Sequence, residues 1–86
     1  MASIKNSKKL LNQTVNHLLE EAYDIQIEMP NLKEKSNAVI EQIVEFFDSS
    51  LARLHDAKSK KDLKGFKEEI EQKGYDFYQD IMNLHV

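Results

Sequence analysis

Residues 11–29 read LNQTVNHLLEEAYDIQIEM. The apolar seam of this stretch is Leu11, Val15, Leu18, Ala22, Ile25 and Met29, in steps of 4-3-4-3-4. At about 3.6 residues per turn this spacing collects one apolar stripe on one face of a helix. Pro30 closes the stretch, because a proline disfavours helical backbone at the residue before it, here Met29. Upstream, Ser3 is the candidate cap. Ser7 is the alternative, and it would set Lys8 and Lys9 against the positive end of the helix dipole. The first helix is therefore expected at about 4–28.

The rest of the chain repeats the pattern. Asn31 followed by Glu34 resembles an N-cap with an acidic third position. The apolar set Leu32, Val39, Ile40, Ile43, Val44, Phe46, Phe47, Leu51 and Leu54 then covers a wide face of a second helix, about 32–57. Such a width suits a helix touching two neighbours. Ser59 with Asp62 suits a third helix start. Its seam is Leu63, Phe66, Ile70, Phe77, Ile81 and Leu84, and the helix is expected at about 60–84. Gly74 falls on the seam face, where it points to close backbone approach or to a tolerated defect. No strand pattern appears. Matched lengths and short connections predict an all-α antiparallel three-helix bundle, one domain over residues 1–86.

Composition narrows the classes. The 86 residues are 41% apolar and 31% charged, with no cysteine or tryptophan, which excludes disulfide scaffolds, thiolate metal sites and low-complexity chains. The longest apolar run is Ala38-Val39-Ile40, too short for a membrane span. Lys5, Lys8, Lys9, Leu10 and Leu11 imitate a signal peptide until Asn12, Gln13, Asn16 and His17 interrupt it, so a cytoplasmic protein is expected. A chain this short buries only about 60–65% of its unfolded surface. Oligomerisation, here dimerisation, is a common way to complete such a core.

Two surface features stand out. The third helix carries a second stripe, Tyr75, Tyr78 and Met82, at i, i+3 and i+7, and the first helix carries Tyr23 and Ile27 off its seam. Tyrosine and methionine are enriched at interfaces, so these five residues form the candidate oligomer or partner interface. The second feature is charge. In an up-down-up bundle the N-terminus and the second connection share one pole. Lys5, Lys8 and Lys9, together with Arg53, Lys58, Lys60, Lys61, Lys64 and Lys67 against Asp56 and Asp62, give that pole a net +7. The remainder must then carry −10, because the whole chain is −3. The lysines form a candidate anion-binding pole for a polyanion such as nucleic acid, but no aromatic residue other than the core Phe66 is interleaved among them.

Catalytic and metal chemistry finds no constellation. His17, His55 and His85 are preceded at i−3 by Thr14, Ala52 and Met82, so the Glu-x-x-His pattern of di-iron bundles is absent. His17 and Glu21 could offer two ligands from one face, without a second matched pair. His55, Lys58 and Ser59 follow the order seen in histidine phosphotransfer domains. No glycine follows Lys58, however, and His55 sits in the last turn of its helix. Glycine-rich phosphate loops and nucleophile elbows are lacking. The expectation is a non-enzymatic interaction module without cofactor or metal, self-associating or packing on a partner protein. A polyanion-binding accessory protein is the alternative.

Overall fold

The computed structural model describes residues 4–58 and 60–84, with the backbone alone at Lys60 and Asp62. The helix-start reading at Ser59, the cap at Ser3 and the histidine at position 85 lie outside the described side chains. Three α-helices form an antiparallel bundle: α1 at Ile4–Glu28, α2 at Lys33–Asp56 and α3 at Phe66–Asn83. Short 3-10 turns occupy Pro30–Leu32 and Lys60–Leu63. The molecule is a rod of 46 × 17 × 14 Å with a radius of gyration of 14.2 Å. A compact chain of this length would measure about 12 Å.

The first connection behaves as proline chemistry requires. Met29 leaves the helix at φ −132°, ψ 77°, and Pro30 opens the 3-10 turn. Asn31 does not cap α2. The preceding turn draws Asn31 into itself, and the cap residue is Leu32, whose hydrocarbon side chain can make no cap bond. The N–H of Leu32 donates to the Met29 carbonyl and that of Lys33 to the Pro30 carbonyl. Glu34 remains in the first turn, where its charge complements the dipole.

The second connection is longer than the apolar pattern suggested. α3 starts at Phe66, six residues after the expected start, because Gly65 adopts φ +78° and breaks the helical path. That left-handed conformation is open to glycine and costly for residues with a Cβ.

The core is a continuous column. Leu11, Val15, Leu18, Ala22 and Ile25 of α1 meet Val39, Ile40, Ile43 and Leu54 of α2 and Phe66, Ile70, Phe77 and Ile81 of α3, with Leu63 beneath. Met29 is only half-buried, beyond the end of α1. The expected wide face of the second helix is narrower in the structure: Val44 is exposed, and Phe46, Phe47 and Leu51 are half-buried against the core. The helix packed most extensively on both neighbours is α1, not α2. Contacts between α2 and α3 include a tilted Phe46–Phe77 pair, ring centroids 5.7 Å apart, and the Arg53–Glu69 ion pair.

Serines fill places that the apolar pattern leaves blank. Ser7, Ser36 and Ser50 are buried, and among the described residues no buried side-chain nitrogen or oxygen lacks a hydrogen-bond partner. Ser36 faces Ala22, and its hydroxyl donates to the Ala22 carbonyl at 2.8 Å. Two small side chains in register let α1 and α2 approach closely, and the hydrogen bond satisfies the hydroxyl without water.

A second close approach joins α1 to α3. A Cβ built on Gly74 would lie 3.0 Å from the Thr14 methyl carbon, closer than ordinary packing allows. Gly74 is therefore a contact residue, not a defect. Gly74→Ala should forfeit the gain of about 1 kcal/mol that alanine normally gives over glycine in a helix. Combined with Thr14→Ser, which removes that methyl, Gly74→Ala should recover it. Denaturant midpoints of the two singles and the double check this, and simple additivity would contradict the contact.

Candidate interaction groove between the first and third helices

α1 and α3 run parallel, each antiparallel to α2. Thr14 stands opposite Gly74, and this pairing fixes their relative height. Beside this contact the two helices leave a groove of about 320 Å³ lined by Thr14, His17, Leu18, Glu71, Gly74, Tyr75 and Tyr78. Leu18 is buried and forms apolar floor, whereas His17 and Glu71 are exposed at its edges.

The groove collects part of the expected interface. Tyr75 is 61% and Tyr78 37% exposed, side by side on its α3 wall. Met82, the third member of that stripe, is half-buried against the core of its own chain. Tyr23 and Ile27 are exposed but lie elsewhere. At about 100° per residue they sit about 120° and 80° round α1 from His17. Gln26, next to Ile27, instead hydrogen-bonds Asn37 of α2. The structure thus brings Tyr75 and Tyr78 together with His17, Thr14 and Glu71, and does not bring Tyr23 and Ile27 to them. Nothing in the sequence pattern alone connects His17 of α1 with Glu71 of α3. Only the relative height of α1 and α3 joins them.

Of the lysines named for the pole, Lys60 lies outside the described side chains. Lys5, Lys8, Lys9, Lys58, Lys61, Lys64 and Lys67 are exposed, and the bundle topology gathers them at the end where α1 and α3 begin. Arg53, the one guanidinium of the set, is engaged within the chain. It pairs with Glu69 and lies 5.2 Å from the centroid of the Phe66 ring. It therefore joins α2 to α3 and is not a fork held out for an anion. Among the described residues no group of three or more His, Asp or Glu converges as a metal site would need, and no helix is long and apolar enough to cross a membrane.

Comparison with protein-family models, with curated proteins and with solved structures finds no match to this chain.

Proposed function

We propose that the chain is a non-enzymatic helical interaction module that self-associates through the α1/α3 face. The observation that carries this is the pair Tyr75 and Tyr78, 61% and 37% exposed on the wall of a groove with an apolar floor. Core packing cannot absorb them. Turning α3 to bury the tyrosines would expose Phe66 and Phe77, which are buried at 1% and 9% exposure. A tyrosine ring covered by another chain buries apolar area while its hydroxyl stays at a wet rim, a use common at interfaces. A second copy supplies the same pair, so a twofold arrangement sets tyrosines against the partner groove from both sides.

The test is Tyr75→Lys combined with Tyr78→Lys. Both positions are exposed, so helicity by circular dichroism should be unchanged. The mass in solution should fall from that of a dimer to the 10.0 kDa of one chain. A doubly substituted chain with the mass of the parent would contradict the reading.

A further inference from the structure

We infer that the lysine end of the bundle binds the phosphate backbone of duplex nucleic acid, end-on and without regard to base sequence. The inference is independent of self-association, because the tyrosine groove lies further along the rod.

Charge is separated by height. Ser36 faces Ala22 and Gly74 faces Thr14, so residues 9, 49 and 69 stand level on the three helices. Beyond that level lie residues 4–9 and 49–69, with nine cations against Asp56, Asp62, Glu68 and Glu69, a net +5. The rest of the chain carries −8, because the whole is −3. Solubility calls for net charge and for signs that are interspersed, not for their separation. Lys5, Lys8 and Lys9 also stand near the positive end of the α1 dipole, whose first turn holds no carboxylate. That placement weakens an isolated helix. The positive end is thus maintained against the preference of the helix that carries part of it.

The side chains at this end define the partner. Lysine is depleted and arginine enriched at protein–protein interfaces. Here the arginine is engaged by Glu69 and Phe66, and the exposed cations are lysines. Stable attachment to an anionic bilayer takes an apolar signal besides a basic patch. Among the described residues of this end the large apolar side chain that is exposed is Ile4, at 45%. A single strand is held by stacking its bases on exposed rings. Phe66, the aromatic residue of this end, is 1% exposed. Without a free guanidinium fork or a ring, the end is suited to the duplex backbone and not to its bases.

Dimensions agree. A duplex carries one negative charge per about 1.7 Å of its axis. The rod is 17 × 14 Å in section, so its end covers a length of duplex bearing about 8–10 phosphates. Those on the near side, about half, match the +5. Orientation follows from the same charges. Contact along the shaft would set its carboxylates against phosphates. End-on contact holds the far end of the 46 Å rod several screening lengths of about 8 Å away.

The experiment measures anisotropy of a labelled DNA duplex of about 20 base pairs and arbitrary sequence. The parent should bind at about 50 mM salt, and its affinity should fall about a hundredfold or more by about 200 mM. Lys5→Glu, Lys64→Glu and Lys67→Glu together turn the end from +5 to −1 at exposed positions. Binding should weaken at least about tenfold, with helicity by circular dichroism retained. Lys33→Glu, Lys35→Glu and Lys73→Glu make the same change in net charge at exposed positions away from that end, and should weaken binding by no more than about threefold. Equal losses in the two triple variants would overturn the inference, since net charge alone would then act. So would a parent that fails to bind at low salt, or one that binds phosphatidylserine vesicles and not the duplex. The mass in solution is read separately. A monomeric parent that binds the duplex contradicts self-association alone, and a dimer that does not bind contradicts this inference alone.

Discussion

Phe66→Ala is expected to lower stability by about 3–5 kcal/mol. The ring is 1% exposed at the first residue of α3, directly after the left-handed Gly65. It belongs to the cluster that joins all three helices, and the Arg53 guanidinium lies over it at 5.2 Å. Alanine would leave a cavity at the point where the second connection delivers the chain to α3. It would also remove the surface on which Arg53 rests. At about 0.05–0.15 kcal/mol per residue, a chain of this size has little stability in reserve. The variant should show a sharply lower denaturant midpoint, with partial unfolding at ambient temperature. Glu68→Ala, two residues on and exposed, should stay within about 0.5 kcal/mol of the parent. Equal midpoints for the two variants would mean that the phase of α3 is misplaced.

Ser36→Leu is the second large effect. Ser36 has no exposed surface, and the carbonyl it bonds belongs to Ala22, which has none either. Leucine brings three further carbons into a place sized for one hydroxymethyl group. The helices must separate or the side chain must leave its rotamer, which costs about 1–3 kcal/mol. The lost hydrogen bond adds about 1 kcal/mol. Ser36→Ala separates the two contributions, since it keeps the close approach and loses only the hydrogen bond. Its midpoint should fall by the smaller amount alone. A leucine variant as stable as the alanine variant would show that α1 and α2 are not in intimate contact there.

These two residues mark what could be read from the sequence. Phe66 was legible, because its spacing from Ile70 and Phe77 puts it on a regular apolar face. Ser36 was not, because apolarity alone passes over serine. The phase contained it nonetheless: Ser36, Ile40, Ile43, Phe47, Ser50 and Leu54 follow each other in steps of four and three. Ser7 stands four residues before Leu11 in the same way. Phase should therefore outrank hydropathy where a small polar side chain can bond a facing carbonyl. Val44 is the converse case, an apolar residue off phase that stands exposed.

The turn signals were legible in kind and less so in extent. Pro30 ended α1 as its ring demands. Asn31 and Glu34 satisfied a capping pattern, yet the 3-10 turn satisfied the backbone first. Near the second connection, Ser59 and Asp62 suggested an earlier start than Gly65 permits, since φ at a glycine is set by the tertiary path and not by local composition. The groove was least legible. Tyr75 and Tyr78 declared themselves by being off the seam, but His17 and Glu71 join them only through the height at which Gly74 lets Thr14 approach. One missing side chain sets that height.

The most direct measurement is the mass of the unmodified chain in solution by sedimentation equilibrium, taken up to about 100 μM. Self-association through the tyrosine face gives about twice the 10.0 kDa of a single chain, falling toward one chain on dilution. A mass of one chain across the whole range would contradict it.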